Sequence, residues 1–301
     1  MTTTPAAHMN SPFRRASLDH LPETPGVYLF YGPSGELLYV GKSKTLRTRV
    51  RAHFAARNEQ WLTRRVRNIE VRETAGELGA LLLESQLIKE LKPMFNIAAR
   101  RRRRLIIARR VENPDGYAGI VLEAVDRINI DDALPILAVF KHTTQAKEYL
   151  TTIARTYRLC PKLLRLDRSR TSCFWYHLKQ CGGACMGEED RLAYNARVEE
   201  AFAARRVKAW PFDGGVVFEE RSDDARRREL FFIDNWCLVA SHQIVNGERV
   251  HHLRGSHRFD YDSYRILYNF LTNPSNHNAI TVLDRAAFEK EWRQPKELPG
   301  G

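Results

Sequence analysis

Residues 25–42 read PGVYLFYGPSGELLYVGK, and this stretch decides the fold. Residues 26 to 31 and 37 to 41 are rich in Val, Leu, Phe and Tyr, with Gly32-Pro33-Ser34-Gly35 between them. That pattern predicts a strand, a turn and a strand. With those four residues as the loop, Tyr31 pairs with Glu36 and Tyr28 falls opposite Tyr39. Directly paired residues share a face, so both phenols project together. Gly41 ends the second strand, and Ser43 is placed to cap a helix carrying Leu46, Val50 and Phe54 at spacings of four. On that helix Arg49 and His53 are also four apart and share a different face. Lys42 sits at the strand-to-helix corner, beside the tyrosine pair.

A carboxylate comes from a second predicted helix, Glu77 to Glu90. At about 100° per residue, Ala80 and Ile88 flank Glu84 closely, with Leu81 and Leu87 a little further round. Glu84 is thus a lone acid within an apolar arc, where an unpaired buried charge costs several kcal/mol. Such a group calls for a cation, either a metal ion or a basic side chain. An ordinary ion pair with a neighbouring Arg or Lys is the competing reading.

The words Gly26-Val27-Tyr28 and Tyr39-Val40-Gly41 resemble the paired signature of the GIY-YIG nucleases. Their surroundings (Leu21-Pro22, Lys42-Ser43, Ala80-Leu81-Leu82-Leu83-Glu84, Lys92-Pro93 to Asn96) resemble the N-terminal nuclease of the UvrC excision-repair proteins. The resemblance implies catalytic roles for Tyr28, Tyr39, Lys42, Arg49, Glu84 and Asn96, with Glu84 holding Mg²⁺ or Mn²⁺. One of the two tyrosines supplies the base, with Lys42 or metal-bound water stabilising its anion. Arg49 neutralises charge on the phosphoryl oxygens, and Asn96 orients Glu84 or the strand turn. His53 stands where bacterial UvrC commonly has tyrosine; it can bind phosphate or protonate a leaving group, and it titrates near neutral pH.

The chain has 301 residues, 43% of them hydrophobic, enough for two compact domains. No run of eighteen apolar residues suggests a membrane span. The first twenty residues lack the apolar stretch of a signal peptide, so a flexible tail and a cytoplasmic location are expected. The net charge is +12, and all of the excess lies before residue 111, where 21 Lys and Arg face 9 Asp and Glu. Positive charge confined to one part of a chain fits a polyanionic partner better than general solubility. Arg100, Arg101, Arg102, Arg103 and Arg104 form much of it. They are candidates for tracking DNA phosphates, against a plain solvated linker or an exposed address tag.

Further on, apolar segments near Leu105–Arg109, Tyr117–Val125 and Pro135–Lys141 precede a helical pattern from Thr143 to Tyr157. A small sheet with a packed helix is expected there. Four of the five cysteines then cluster as Cys160, Cys173, Cys181 and Cys185, the last two separated by Gly182-Gly183-Ala184. Four thiolates around a Gly-rich spacer suit zinc or an iron–sulfur cluster. Disulfides or separately buried thiols are the alternatives. His177 is left out because four cysteines complete a shell, and Cys237, in an apolar run, is expected in a core. The pattern again resembles UvrC, which implies a 4Fe–4S cluster with a structural or redox-sensing role. A helix is expected within Glu188–Lys208, strands at Val216–Glu220 and Leu230–Gln243, and a helix over Asp260–Leu271, whose aromatics read as packing.

The expected fold class is α+β. A tail (1–20) leads into a GIY-YIG nuclease domain (21–98) with a small three-stranded sheet flanked by helices. A region with the basic linker, a small α/β part and the four-Cys cluster follows (99–190), then a C-terminal α/β region (191–301). Beside UvrC, the helical hairpin that contacts UvrB is expected to be shortened or missing, and the second, RNase H-like nuclease is expected to be missing. The chain therefore resembles short UvrC homologues that incise damaged double-stranded DNA only on the 3′ side of a lesion, downstream of UvrA and UvrB. The alternatives are a non-catalytic DNA-damage-binding or regulatory protein on the same scaffold, or a sequence-specific GIY-YIG endonuclease.

Overall fold

The computed structural model describes residues 18–96, 105–125, 136–255 and 259–293. The Arg100–Arg104 run and most of the predicted tail lie outside the described residues. Leu18 is buried in the nuclease core, so the tail stops short of residue 20. The chain divides into two compact units, one formed by 1–101 together with 210–301, the other by 102–209.

In the first unit, β1 (Gly26–Tyr31), β2 (Leu37–Ser43) and β3 (Asn68–Glu73) form an antiparallel sheet in the order β2-β1-β3. The expected register is corrected by two residues. Tyr28 pairs with Gly41 and Phe30 with Tyr39, because the turn closes between Gly32 and Glu36, which moves Tyr31 opposite Leu37, and a bulge between Phe30 and Tyr31 adds a second residue. An even shift keeps every side chain on its face, so the phenols still converge. Strand alternation sends Tyr28 and Phe30 to a core with Leu46, Val50, Leu62 and Val66. Val27, Leu29 and Val40 go to the other face, against Leu87 and Ile88.

Three helices complete this part: α1 (Leu46–Ala55), α2 (Gln60–Thr63) and α3 (Glu77–Leu91). Ser43 does not cap α1. Its hydroxyl is taken up by the Thr45 backbone two residues on, and Thr45 occupies the cap without a side-chain bond.

The second unit has β4 (Leu105–Glu112), β5 (Ala118–Val125) and β6 (Ile136–Phe140) in the order β5-β4-β6. Helix α4 (Thr143–Thr156) and helix α5 (Arg191–Phe202) contribute to its core. Tyr194, Val198, Ala201 and Phe202 of α5 are buried there. That helix, expected with the C-terminal region, therefore belongs to the unit that carries the cysteines.

The chain then adds to the first unit a five-stranded antiparallel sheet, ordered β10-β9-β8-β7-β11. Its strands are β7 (Gly215–Arg221), β8 (Arg227–Asp234), β9 (Cys237–Val245), β10 (Glu248–Arg254) and β11 (Ile280–Leu283). Helices α6 (Tyr261–Leu271) and α7 (Arg285–Arg293) complete it. The single apolar run Leu230–Gln243 is a hairpin, reversed at Asn235 and Trp236, which both take the left-handed conformation. Cys237 is buried, as expected of a core residue.

Candidate active site

β2 runs on to Ser43 and does not end at Gly41, and around Gly41 it gathers residues that the sequence singled out. Tyr28 is 1% exposed, and its ring centroid lies 6.2 Å from that of Tyr39. A Cβ at Gly41 would collide with the Tyr28 phenol and the Tyr39 ring, so only glycine leaves room for this pair. Asn96 fixes the strand from outside. Its Oδ1 accepts from the Val40 N–H at 2.9 Å and its Nδ2 donates to the Val40 carbonyl at 2.8 Å. It therefore holds the backbone between Tyr39 and Gly41 and does not orient Glu84.

Helix α1 approaches the same face. Arg49 and His53 are one turn apart, but they part in burial: Arg49 is exposed, and His53, at 2% exposure, joins the core-facing stripe with Val50. The Tyr28 hydroxyl lies 2.6 Å from His53 Nε2, and Nδ1 on the far side of the ring meets the Glu59 carboxylate. A carboxylate only accepts, so Nδ1–H donates to Glu59 and Nε2 is left to accept the phenol proton. Glu59 is the site residue that sequence reading misses. It stands six positions beyond His53 in a separate helical turn (Arg57–Glu59), which no helical spacing joins to α1.

Glu84 comes from the opposite face on α3. Its Oε1 accepts from the Lys42 backbone N–H at 3.2 Å, its only hydrogen bond among the described residues. No guanidinium among the described residues forms an ion pair with it. Burial raises its carboxyl above the usual range, and the Lys42 charge and N–H pull it partly back. The Lys42 ammonium lies 3.6 Å from Glu77, a full two turns before Glu84 on the same side of α3. Lys42 is thus shared between two carboxylates, and no hydrogen bond joins it to either phenol among the described residues.

Burial pushes both phenols above their ordinary value. For Tyr28 the Tyr39 and Glu84 charges add to this and Arg49 opposes it; for Tyr39 Glu84 adds and Arg49 opposes. Burial lowers His53, Glu59 opposes this and Arg49 adds to it, so the imidazole is neutral at neutral pH. The arrangement offers a partly desolvated acid whose charge reaches both phenols, and a Tyr28 hydroxyl that meets a histidine nitrogen.

Residues 24–97 match the UvrC-like GIY-YIG domain family, 109–204 the UvrC/Cho excinuclease middle domain and 215–287 the excinuclease Cho C-terminal domain. The excinuclease Cho of Escherichia coli K12 is 35% identical over 276 residues, covering 90% of each chain. The chain belongs to the excinuclease Cho family. The Cho of Salmonella typhimurium is 34% identical over 84% of this chain and 85% of the relative. Among solved structures, the magnesium-bound GIY-YIG endonuclease domain of Thermotoga maritima UvrC is 32% identical. It covers 27% of this chain and 93% of that one, with a TM-score of 0.26. As a Cho-family excinuclease the chain is a GIY-YIG nuclease of DNA repair, and the α+β class expected from sequence holds.

The second unit carries the thiols. The Sγ atoms of Cys160, Cys173 and Cys185 all lie within 4.8 Å of one another, and Cys181 Sγ lies 3.5 Å from that of Cys173. All four are free, so disulfides are not formed. His177 bonds to the Ser172 hydroxyl at 2.7 Å and stands apart from them. Among the described residues no helix is long and apolar enough to cross a membrane.

Proposed function

We propose that this Cho-family excinuclease is a divalent-metal-dependent endonuclease that makes the 3′-side incision at damaged double-stranded DNA, working with UvrB after UvrA. The observation that supports the reading most is Glu84: a carboxylate raised by burial, paired with no guanidinium among the described residues, whose charge also raises the phenol that is hydrogen-bonded to histidine. Glu84 would hold Mg²⁺ or Mn²⁺, which when bound stabilises negative charge on a phosphate oxygen.

The side chains supply the proton path. Because burial raises Tyr28 and lowers His53, the phenol proton passes to His53 Nε2 only as the phenol oxygen takes a proton from water, and the Glu59 carboxylate stabilises the imidazolium that forms. In the same step the oxygen of that water attacks phosphorus and the P–O bond to the leaving strand breaks, the leaving oxygen taking its proton from solvent. Arg49, exposed above the phenols, neutralises the phosphoryl oxygens. His53 thus serves the base and does not protonate the leaving group. Asn96 keeps β2 in place beneath the tyrosines. The segment that supplies Glu59 also presents exposed Arg57, Arg64 and Arg65 with Trp61, a surface whose charge suits the DNA backbone.

Three thiols within 4.8 Å of one another, with a fourth 3.5 Å from one of them, fit a thiolate-bound metal. Cys160, Cys173, Cys181 and Cys185 would hold it. At 3.5 and 3.8 Å, the separations from Cys173 to Cys181 and Cys160 are close to the edge of a tetrahedron of Zn–S bonds, about 3.8 Å. A 4Fe–4S cluster would need them to spread. Iron and sulfide analysis of anaerobically purified protein decides: two to four iron per chain with sulfide supports the cluster, and one zinc replaces it.

The incision is tested with lesion-bearing duplex, UvrA, UvrB and Mg²⁺. The expected result is a 3′ nick that Glu84→Ala abolishes. Binding without a nick under any divalent metal overturns the reading.

A further inference from the structure

The two glutamates that face the start of α3 come from the opposite end of the chain. Glu220 on β7 and Glu229 on β8 are directly paired across the sheet, a like-charge arrangement that is ordinarily unfavourable. Here both carboxyls turn toward the first turn of α3. Glu220 Oε1 accepts from the Leu78 N–H at 2.7 Å and Oε2 from the Gly79 N–H at 2.8 Å. Those amides belong to the orphan donors of a helix N-terminus, where the dipole also favours negative charge. No side chain of the helix's own cap residue, Gly76, does this work.

Two glycines make the approach possible. A Cβ at Gly76 would lie 2.6 Å from the Glu220 carboxyl, and one at Gly79 would lie 2.5 Å from Glu229 Oε2. Glycine in the first turn of a helix costs about 1 kcal/mol relative to alanine, so its presence at 79 opposes local helix formation. The same sheet grips the preceding corner, where Arg227 pairs with Glu73 at 3.1 Å and Gln243 donates to the Glu73 carbonyl at 2.8 Å. Near the far end of α3, Lys89 pairs with Asp260 at 2.5 Å. The helix held at these points is the one that carries Glu84 and, through Glu77, touches Lys42.

We propose that Glu220 and Glu229 are positioning residues of the nuclease, by which the C-terminal sheet clamps the start of α3 and sets where Glu84 presents its carboxylate. This rests on the reading of Glu84 as the metal-holding acid. The sheet then acts on cleavage from within the protein, without touching DNA or metal.

The test uses the full-length chain, with Mn²⁺ binding followed by electron paramagnetic resonance and backbone amide exchange followed along α3. Glu220→Ala is expected to weaken Mn²⁺ binding about fivefold, as loss of one cap would, and to speed exchange from Leu78 as far as Glu84. Gly79→Ala separates the clamp from simple helix stability. Local propensity makes that variant a better helix, whereas the clamp requires it to weaken Mn²⁺ binding by displacing Glu229. Adding Glu229→Ala to Gly79→Ala relieves the collision but removes the second carboxylate of the clamp, so binding stays below the parent's. The proposal is overturned if Glu220→Ala exchanges faster only in the first turn with Mn²⁺ affinity unchanged, or if Gly79→Ala binds Mn²⁺ as well as the parent. If the parent protein shows no Mn²⁺ binding that Glu84→Gln removes, the metal reading fails instead, and the exchange profile of Glu220→Ala still decides whether the clamp exists.

Discussion

Glu84 and Glu229 are both carboxyls raised by burial around one helix, yet they sit in opposite surroundings. Glu84 lies at the open end of β2, with a single N–H, a shared lysine and two phenols. Glu229 is 8% exposed and faces backbone, with Glu220 as its charged neighbour and Arg227 partly compensating, and is pushed up to about 8. Burial alone therefore does not mark an active site. What separates them is whether groups able to move a proton or receive a phosphate face the acid.

The comparison breaks first at Glu84. Glu84→Gln is expected to lower nicking by about a thousandfold or more while leaving the melting temperature equal or slightly higher, since it removes a partly desolvated charge. A large loss of stability would make Glu84 a structural residue like Glu229. Next comes Glu59→Gln, expected to cost about a hundredfold in rate with folding intact, because the imidazolium loses its partner. The parent's rate falls as the medium is acidified through the depressed value of His53, and that limb should shift in the variant. A pH–rate profile identical to the parent's would remove Glu59 from the proton path.

Glu229→Gln sharpens the other side. The folded protein holds the Glu229 proton more tightly than the unfolded chain, so its contribution is full below about pH 4.5 and is lost as pH rises through about 8. His53, with its depressed value, acts in the opposite direction, so the difference between variant and parent is the quantity to follow. Denaturant titrations should show the variant gaining up to a few kcal/mol on the parent between those pH values. A constant difference across the range would show that Glu229 does not titrate there. The smallest effect is expected at Ser43→Ala: within about 0.5 kcal/mol, since the hydroxyl serves only a local turn.

The nuclease half was legible because its chemistry is local. Tyr28, Tyr39 and Lys42 lie on one hairpin, and the two-residue error in its register did no harm because faces repeat every two residues. Glu84 was legible as a charge in an apolar arc. Glu59 was not, because its link to His53 depends on the chain turning back after Ala56. In the C-terminal sheet the hairpin signal Asn246-Gly247, both residues left-handed, marks β10, but Glu248-Arg249-Val250-His251-His252 shows no apolar alternation to confirm it. The Glu220–Glu229 pair was beyond reach for a different reason: its meaning lies in what it meets some 140 residues away, and no spacing along the sequence carries that.

The first compact unit is assembled from the two ends of the polypeptide, with residues 102–209 between them. A ribosome emits the tyrosine hairpin and α3 early and the strands that hold α3 late. Until β7 and β8 emerge, the Leu78 and Gly79 N–H groups lack the Glu220 carboxylate that accepts from them. On the proposed clamp, the start of α3 gains its caps only with the last third of the chain.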